Sequence, residues 1–527
     1  MNIYFLGFAL AVYISYIAVI SKRYLHMLQL NSYMYSKYLR WYSKNFASEI
    51  TLFSVLPAAA ALLAAYGQYL AFAAAWLVIY TVLILIRRKT KEKKKFVYTN
   101  RIIRLYITTG ILLAVISLYI LYAYNRCGST APAILLALAA LLGELKIFYP
   151  LLAKTINTPV EKLVNLYYYM DAKRILKQNK KLIIIGITGS YGKTSSKYIL
   201  SRILSARYNV LMTPESYNTL MGVVRTIREH LKATHEVFVV EMGAYKRGEI
   251  AEICRLVRPR YGLLTTIGHQ HLDTFKSIDN IILAKYELIE AVKGGAAFLN
   301  FENEFIRERK SGGKYFSYGL NNSSLSYWAE NVKIGSRGSS FTFCTYDNVK
   351  IELKTQLLGN HNVLNIVSAC AIAMELGVKA EDICYAVRQI PPVPHRLELK
   401  GSPSGVSIID DAFNSNPVGA NEALNVLSGF DSPMRILITP GMIELSDREY
   451  EYNFKFGEKA AASCDFIILV GVKRSKPILD GIKNRDYPAE KIYVAKNLNE
   501  ALEKMKTIAI PGSVVLFEND LPDNYEE

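Results

Sequence analysis

The sequence predicts a helical transmembrane bundle followed by two α/β domains, the first a parallel-sheet nucleotide-binding domain. Three observations carry this. Apolar runs of spanning length crowd the first 150 residues. A short apolar strand enters a glycine-rich turn and then a helical pattern over residues 181–204, KLIIIGITGSYGKTSSKYILSRIL. Strand-like and helical segments alternate from there onwards.

At 527 residues the chain exceeds one ordinary domain. Its hydrophobic fraction, 51%, is high for a soluble enzyme, and the excess is local. Residues 2–20 form a nearly uncharged run of spanning length. With no basic stretch before it and no small-residue cleavage site before Lys22, it reads as an anchor, not a signal peptide. Residues 51–86 hold two spans folded as a hairpin near Gly67 and Gln68, and 105–124 and 131–149 add two more, giving five. Basic residues near span ends stay cytoplasmic. Lys22, Arg23, Lys37, Arg40 and Lys44 follow the first run, and Arg87, Arg88, Lys89, Lys91, Lys93, Lys94, Lys95, Arg101 and Arg104 lie between the third and fourth. The expected location is therefore the plasma membrane, multi-pass, with the N-terminus outside and everything after 149 cytoplasmic.

The net charge of +18 follows from this topology, where it also attracts anionic membrane lipid, and no nucleic-acid partner is implied. Glu144 and Lys146, near the cytoplasmic end of the fifth run, can snorkel or pair. Six cysteines without a CxxC pair indicate a reducing compartment and argue against structural zinc. Residues 151–180 read as an amphipathic connecting helix between the membrane region, 1–150, and the cytoplasmic domains.

In the turn after 181–188, Gly189 and Gly192 let backbone N–H groups approach a polyphosphate, and Lys193 and Thr194 at the helix start can reach phosphate and Mg²⁺. The spacing is a variant, because Ile187 stands where the usual loop has its first glycine and Gly186 comes one position early. VFVVEMG places Glu241 at the carboxyl end of a strand, suited to a Mg²⁺ ligand or a helix cap. A third strand ends in His269, His271 and Asp273, where a histidine serves as metal ligand, phosphate contact or structural group. Lys285 lies amid apolar residues of a helical segment, a pattern in which lysine usually snorkels.

Together these elements resemble the Mur ligase family, ATP-dependent amide ligases of peptidoglycan precursor assembly, from about 181 to 517. GITGSYGKTSS has the family's glycine spacing, implying that Gly189, Ser190, Gly192, Lys193, Thr194 and Ser195 contact ATP. IGHQHLDTFKSIDNIILAKYELI is similar to the segment in which a histidine, here His271, precedes by fourteen positions a lysine carbamylated by CO₂, here Lys285. The resemblance implies a Mg²⁺ site of Thr194, Glu241, His271 and carbamylated Lys285, with Lys193, His271, Lys285 and Arg396 catalytic. LLGNHNVLNIVSACAIAMELG implies that Asn365 contacts adenine, PPVPHRLEL that Arg396 reaches the γ-phosphate, and IIDDAFNSNPVGANEAL that Asp411 and Asn414 close a third domain over the nucleoside. Phe413 replaces the usual tyrosine. TPESYNTLMG, with Asn218, and TPGMIELSDREYEYNFKFG look closest to the branch adding D-alanyl-D-alanine to the muramoyl tripeptide, although Thr219 and Val223 depart from it.

The implied organisation is a central ATP-binding domain over 181–396, carrying a small antiparallel β insert at about 321–356, and a Rossmann-like C-terminal domain over 397–527. The implied reaction joins a cell-wall precursor to an amino acid or dipeptide amine through an acyl phosphate. Soluble members begin with a domain gripping the UDP end of the precursor; here the apolar runs stand instead, so the expected acceptor is membrane-proximal, a lipid-linked precursor included. Two other readings are a ligase making another amide, such as a polyglutamate capsule, and a membrane partner using nucleotide only as a switch.

Overall fold

The structure, a computed structural model, describes residues 3–519 apart from 51, 87–94, 128–129, 216, 271, 310–311, 336–337, 402–404, 413–414, 444 and 446–447. Among the expected site residues, His271 and Asn414 lie outside the described residues, as does Phe413. The chain divides into two units between Leu166 and Tyr167.

The first unit is helical. α1 (Ile3–Leu30) buries Leu6, Leu10, Tyr13, Ile17, Ile20, Tyr24 and Leu28, a spacing of three to four that turns one face inward, and exposes Phe8, Ile14 and Val19. α2 (Tyr35–Glu49) carries Lys37, Arg40 and Lys44; no apolar run announces it. A short 3₁₀ turn leads into α3 (Leu56–Ala65), and Gly67, at φ +80°, makes the hairpin to α4 (Tyr69–Leu85) where the sequence places it. α5 (Asn100–Cys127) and α6 (Thr130–Glu144) follow. Buried polar tips tie the bundle together: Trp76 Nε1 donates to Ala9 O at 3.0 Å, and Tyr13 Oη lies 2.5 Å from Ala139 O and 2.8 Å from Tyr149 Oη.

Against the five expected spans, the described residues hold two or three helices that qualify by length and composition. Among the described residues, only α1 and α5 are long and apolar enough to cross a bilayer; α6 with α7 (Phe148–Gln178), bent by 86°, makes a third if that pair counts as one. α3 and α4, at 10 and 17 residues, fall short. The bend lies at 145–147, where Lys146 adopts φ 58°, so the fifth run ends earlier than its hydropathy suggests. Nor does Glu144 snorkel: it is buried, while Lys146 Nζ donates to the Glu49 carbonyl.

The second unit holds two sheets. Strands β1 (Ile183–Thr188), β2 (Val210–Met212), β3 (Val237–Glu241), β4 (Tyr261–Leu264), β5 (Ala297–Asn300), β6 (Tyr315–Leu320), β7 (Tyr327–Gly335), β8 (Gly338–Thr345) and β9 (Lys350–Thr355) form one sheet in the order 2-3-1-4-5-6-7-8-9. It is parallel as far as β7 and antiparallel across β7–β8–β9. The segment expected as a small β insert therefore extends the main sheet. Its hairpins bury Phe341, Phe343 and Leu353 in the same core as Ile185 and Val239, which gives them a reason to continue the sheet.

Strands β1, β3, β4 and β5 are buried almost throughout, because helices cover both faces. α8 (Lys193–Leu204) shares one core with the strands; α9 (Leu220–His230), α10 (Glu249–Val257) and α12 (Ile278–Ala291), preceded by the short α11 (Leu272–Phe275), share the other. The short α13 (Glu304–Arg307) follows β5, and α14 (Asn360–Glu375) and α15 (Ala380–Arg388) complete the first face. The departures at 219 and 223 have structural roles: Thr219 Oγ1 accepts from Gly222 N as the cap of α9, and Val223 is core.

The second sheet runs 10-11-15-12-13-14, from β10 (Glu398–Gly401), β11 (Ser407–Asp411), β12 (Arg435–Thr439), β13 (Phe466–Val470), β14 (Ile492–Ala495) and β15 (Val514–Glu518), all parallel except β10. α16 (Pro417–Ser428), α17 (Glu449–Ser463) and α18 (Lys476–Lys483) pack on one face and α19 (Leu498–Ile508) on the other. Among the described residues Cys254, Cys344, Cys370, Cys384 and Cys464 are free thiols.

Candidate active site

The site grows from the register of three strands. β1 pairs in parallel with β3 and β4, bringing Ile187 opposite Glu241 and Thr188 opposite Leu264, so the loops leaving their carboxyl ends meet. The loop after β1 is clamped onto the one after β4: Ser190 N donates to Thr266 O at 2.6 Å and Tyr191 N to Thr266 Oγ1 at 3.1 Å. A Cβ on Gly189 would land on Thr265, and Gly192 holds φ +79° as the residue preceding α8, so glycine is needed at both. Lys193 arches back over this loop, its Nζ 2.8 Å from Gly189 O and 3.0 Å from Ser190 O.

Glu241 ends β3 inside the protein, 1% exposed. Its Oε1 accepts from Thr194 Oγ1 at 3.2 Å and Asn218 Nδ2 at 3.1 Å; its Oε2 lies 3.1 Å from Lys197 Nζ. Lys197, fully buried one turn after Lys193, also donates to Glu215 O. Sequence reasoning missed Lys197; its only signal was a lysine on the face of α8 that also carries Lys193 and Leu200.

Lys285 projects from α12, whose start is capped by Ser277 accepting from Asn280 N at 3.2 Å. It is 3% exposed and, among the described residues, makes no hydrogen bond; the Phe275 ring lies 5.8 Å from its Nζ. Burial, then the charge of Lys193, pushes its amine well below the ordinary lysine range. Two residues on, Glu287 accepts from Gly248 N at 2.6 Å and Ala251 N at 2.9 Å, tying α12 to the start of α10. Lys193, Asn218 and Lys285 line one cavity of about 240 Å³ with Tyr245, Glu249 and Gln270. Burial also lowers Lys193, to about 8.

A second cavity, about 100 Å³, is lined by Gly192, Ser195, Asn365, Arg396, Asp411 and Glu518, with His361 and Asn416 beside them. Asn365 accepts from Ser196 Oγ at 3.0 Å through Oδ1, while its buried Nδ2 has no partner among the described residues, leaving a donor for a ligand. Asp411 accepts from Leu397 N at 3.1 Å, and Glu518 accepts from Ser415 Oγ at 2.5 Å. Asn218, expected among the cofactor-binding residues, donates to Glu241 and lines the cavity that Lys193 also lines. His269 reaches across to α17, 3.1 Å from Tyr452 Oη and 3.5 Å from an Arg448 nitrogen. His395, Glu398 and Asp410 also cluster, but Lys400 Nζ sits 2.6 Å from Asp410 and 2.9 Å from Glu398, so the group is an ion-pair network.

Burial raises both Glu518 and Asp411, Glu518 further because Asp411 faces it; Asp411 reaches about 6. Folded-state values raised above the unfolded ones favour the folded state at low pH, and that contribution is lost as pH rises from about 4 through about 6. Glu518→Gln, which keeps a donor for Asp411, is expected to flatten this fall by about 1.4 kcal/mol per pH unit in thermal unfolding between pH 4 and 7. An unchanged slope would show that Glu518 does not hold the proton.

Residues 187–373 match the Mur ligase middle domain, and 395–518 the Mur ligase glutamate ligase domain. The UDP-N-acetylmuramoyl-tripeptide--D-alanyl-D-alanine ligase of Buchnera aphidicola subsp. Acyrthosiphon pisum is 30% identical over 346 residues, covering 64% of this chain and 75% of the relative. The chain belongs to the Mur ligase family. The enzyme of the same name from Bacillus subtilis is 29% identical over 340 residues, covering 63% and 72%. MurF from Acinetobacter baumannii superposes with a TM-score of 0.61 at 26% identity, covering 68% of this chain and 78% of that one. As a Mur ligase, the protein is an ATP-dependent carbon–nitrogen ligase. Both family domains lie in its second unit.

Proposed function

We propose that this Mur ligase joins a carboxylate of a peptidoglycan precursor to an amine, D-alanyl-D-alanine in the names of its relatives, at the cytoplasmic face of the plasma membrane. The observation that carries this reading is that Lys193 and Lys285 line one cavity, whose lining residue Asn218 also donates to Glu241, the partner of Thr194. The glycine loop at 189–195 and Lys193 hold the triphosphate, Asn365 Nδ2 meets adenine, and Asp411 meets ribose. Arg396 reaches the γ-phosphate.

Thr194 Oγ1 and Glu241 Oε1, hard oxygen donors 3.2 Å apart, fit Mg²⁺, which when bound would neutralise charge on the transferring phosphoryl group. The unmodified Lys285 amine does not fit a cation. Its lowered pKa supports a neutral amine able to add to CO₂, losing a proton and becoming a carbamate with oxygen donors. An acceptor carboxylate oxygen then attacks the γ-phosphorus, the bond to ADP breaks, and an acyl phosphate forms. The amine nitrogen attacks the acyl carbon and loses a proton, and phosphate leaves. Closure of the C-terminal domain, supported by the His269–Tyr452 contact, keeps water from the acyl phosphate.

The first unit, helical throughout its described elements, anchors the enzyme, and the acceptor reaches the site from the membrane surface. The test is phosphate release by the full chain in bilayers, given ATP, either D-alanyl-D-alanine or glutamate as the amine, and either UDP-muramoyl tripeptide or the same peptide on a lipid carrier. Release should need both acceptor and amine and be faster with the lipid-borne acceptor. Equal rates would remove the lipid-borne acceptor, and release only when glutamate is the amine would move the enzyme to polyglutamate synthesis.

A further inference from the structure

Between α1 and α5, the two described helices that are each long and apolar enough to cross a bilayer, lies an open groove of about 420 Å³, lined by Ala18, Val19 and Lys22 of α1, by Tyr98 just before α5 and by Tyr106 within it. Both helices turn from apolar to basic here: α1 passes from Ile20 to Lys22 and Arg23, and α5 begins with Arg101 and Arg104. That change marks headgroup depth, where tyrosines also concentrate.

Three neighbouring arginines are already used. Arg23 pairs with Glu49 at 2.7 Å, and Arg104 and Arg101 pair with Glu161 at 2.6 and 3.6 Å. Lys22 is exposed and, among the described residues, pairs with no carboxylate; its Nζ stands 6.0 Å over the Phe96 ring. The far wall is held in place. Gln29 Nε2 donates to Val97 O at 3.0 Å and Gln29 Oε1 accepts from Val97 N at 3.3 Å, pinning the segment before α5 to α1, and Tyr98 stacks on Tyr106 at 6.3 Å. The result is an apolar floor one turn below an ammonium that meets no carboxylate among the described residues, flanked by two phenols.

The geometry points to a binding site for one anionic phospholipid, its phosphate on Lys22 and the Tyr98 hydroxyl and its chain along Ala18 and Val19. Charge complementarity selects an anionic headgroup, and the continuity of the groove with the exposed apolar side chains Ile14 and Val19 selects a bilayer lipid over a soluble phosphate. This inference rests on the membrane reading of the first unit.

The test is native mass spectrometry of the full chain released from nanodiscs of phosphatidylcholine with phosphatidylglycerol, comparing wild type, Lys22→Gln, Tyr98→Phe and Lys44→Gln, the last removing an exposed charge on α2. One retained phosphatidylglycerol is expected, with occupancy falling about fivefold in Lys22→Gln, less in Tyr98→Phe, and unchanged in Lys44→Gln. Equal losses in Lys22→Gln and Lys44→Gln, or none in Lys22→Gln, would overturn the site while leaving the membrane reading intact. A polyisoprenyl phosphate displacing phosphatidylglycerol from wild type would overturn the assigned occupant. A chain that fails to enter nanodiscs would overturn the membrane reading itself.

Discussion

Lys285→Ala is expected to lower substrate-dependent ADP formation by at least about 10²- to 10³-fold while ATP affinity stays within about twofold, as read by phosphate release and calorimetry. The separation follows from the two cavities. Lys285 lines the one shared with Lys193 and Asn218, whereas Asn365, Arg396 and Asp411 line the other. Truncation removes a side chain from α12 that makes no hydrogen bond among the described residues, so no partner is orphaned, and alanine suits a helix interior. What is lost is the group proposed to become a carbamate. Two further results would follow from that chemistry: depleting CO₂ and bicarbonate should slow the wild-type enzyme but not the variant, and a small carboxylic acid should partly restore the variant. Unchanged turnover in Lys285→Ala would remove Lys285 from the reaction.

Glu241→Gln is expected to cost about 3–5 kcal/mol of stability in the second unit, measured by denaturant unfolding, because Lys197 then keeps a buried charge without its counter-ion. Lys197→Met removes the counter-ion of the buried carboxylate, leaving it only the hydrogen bonds from Thr194 and Asn218. The double variant Glu241→Gln with Lys197→Met should regain most of the loss, since a buried ion pair is often no more stable than its neutral replacement. Its activity should stay absent, because the carboxylate proposed to hold Mg²⁺ is gone. That split between restored folding and lost turnover distinguishes a metal ligand from a structural ion pair. A double variant as unstable as either single one would show that the pair is not what holds this corner of the sheet.

The glycine loop was legible because its function is local: Gly189, Gly192, Lys193 and Thr194 are consecutive or nearly so, and the strand before and helix after them are set by apolar runs. Lys285 was legible only through family resemblance. By periodicity it is a lysine among apolar residues, and the chemistry that makes it unusual, burial beside Lys193, comes from packing. Lys197 and Glu518 were missed because a buried charge looks like a solvated one until its partner is placed, 44 residues away for Lys197 and 107 away along the chain for Glu518 with Asp411. Helix length was hard to read for a related reason: hydropathy registers apolar length, but the backbone turn at Lys146 decides how much of that length is one straight helix.

By itself the sequence determined the helical and α/β halves, the phosphate loop and the family, because each is written in short-range pattern and residue order. Only the tertiary structure decided that the β hairpins extend the main sheet, that Glu241 is shared between Thr194, Asn218 and Lys197, and that Lys22 stands over the Phe96 ring. Sheet extension depends on which apolar face finds an edge to cover, and charge pairing depends on which side chains meet across the fold. Both are long-range outcomes of packing, which no local pattern records.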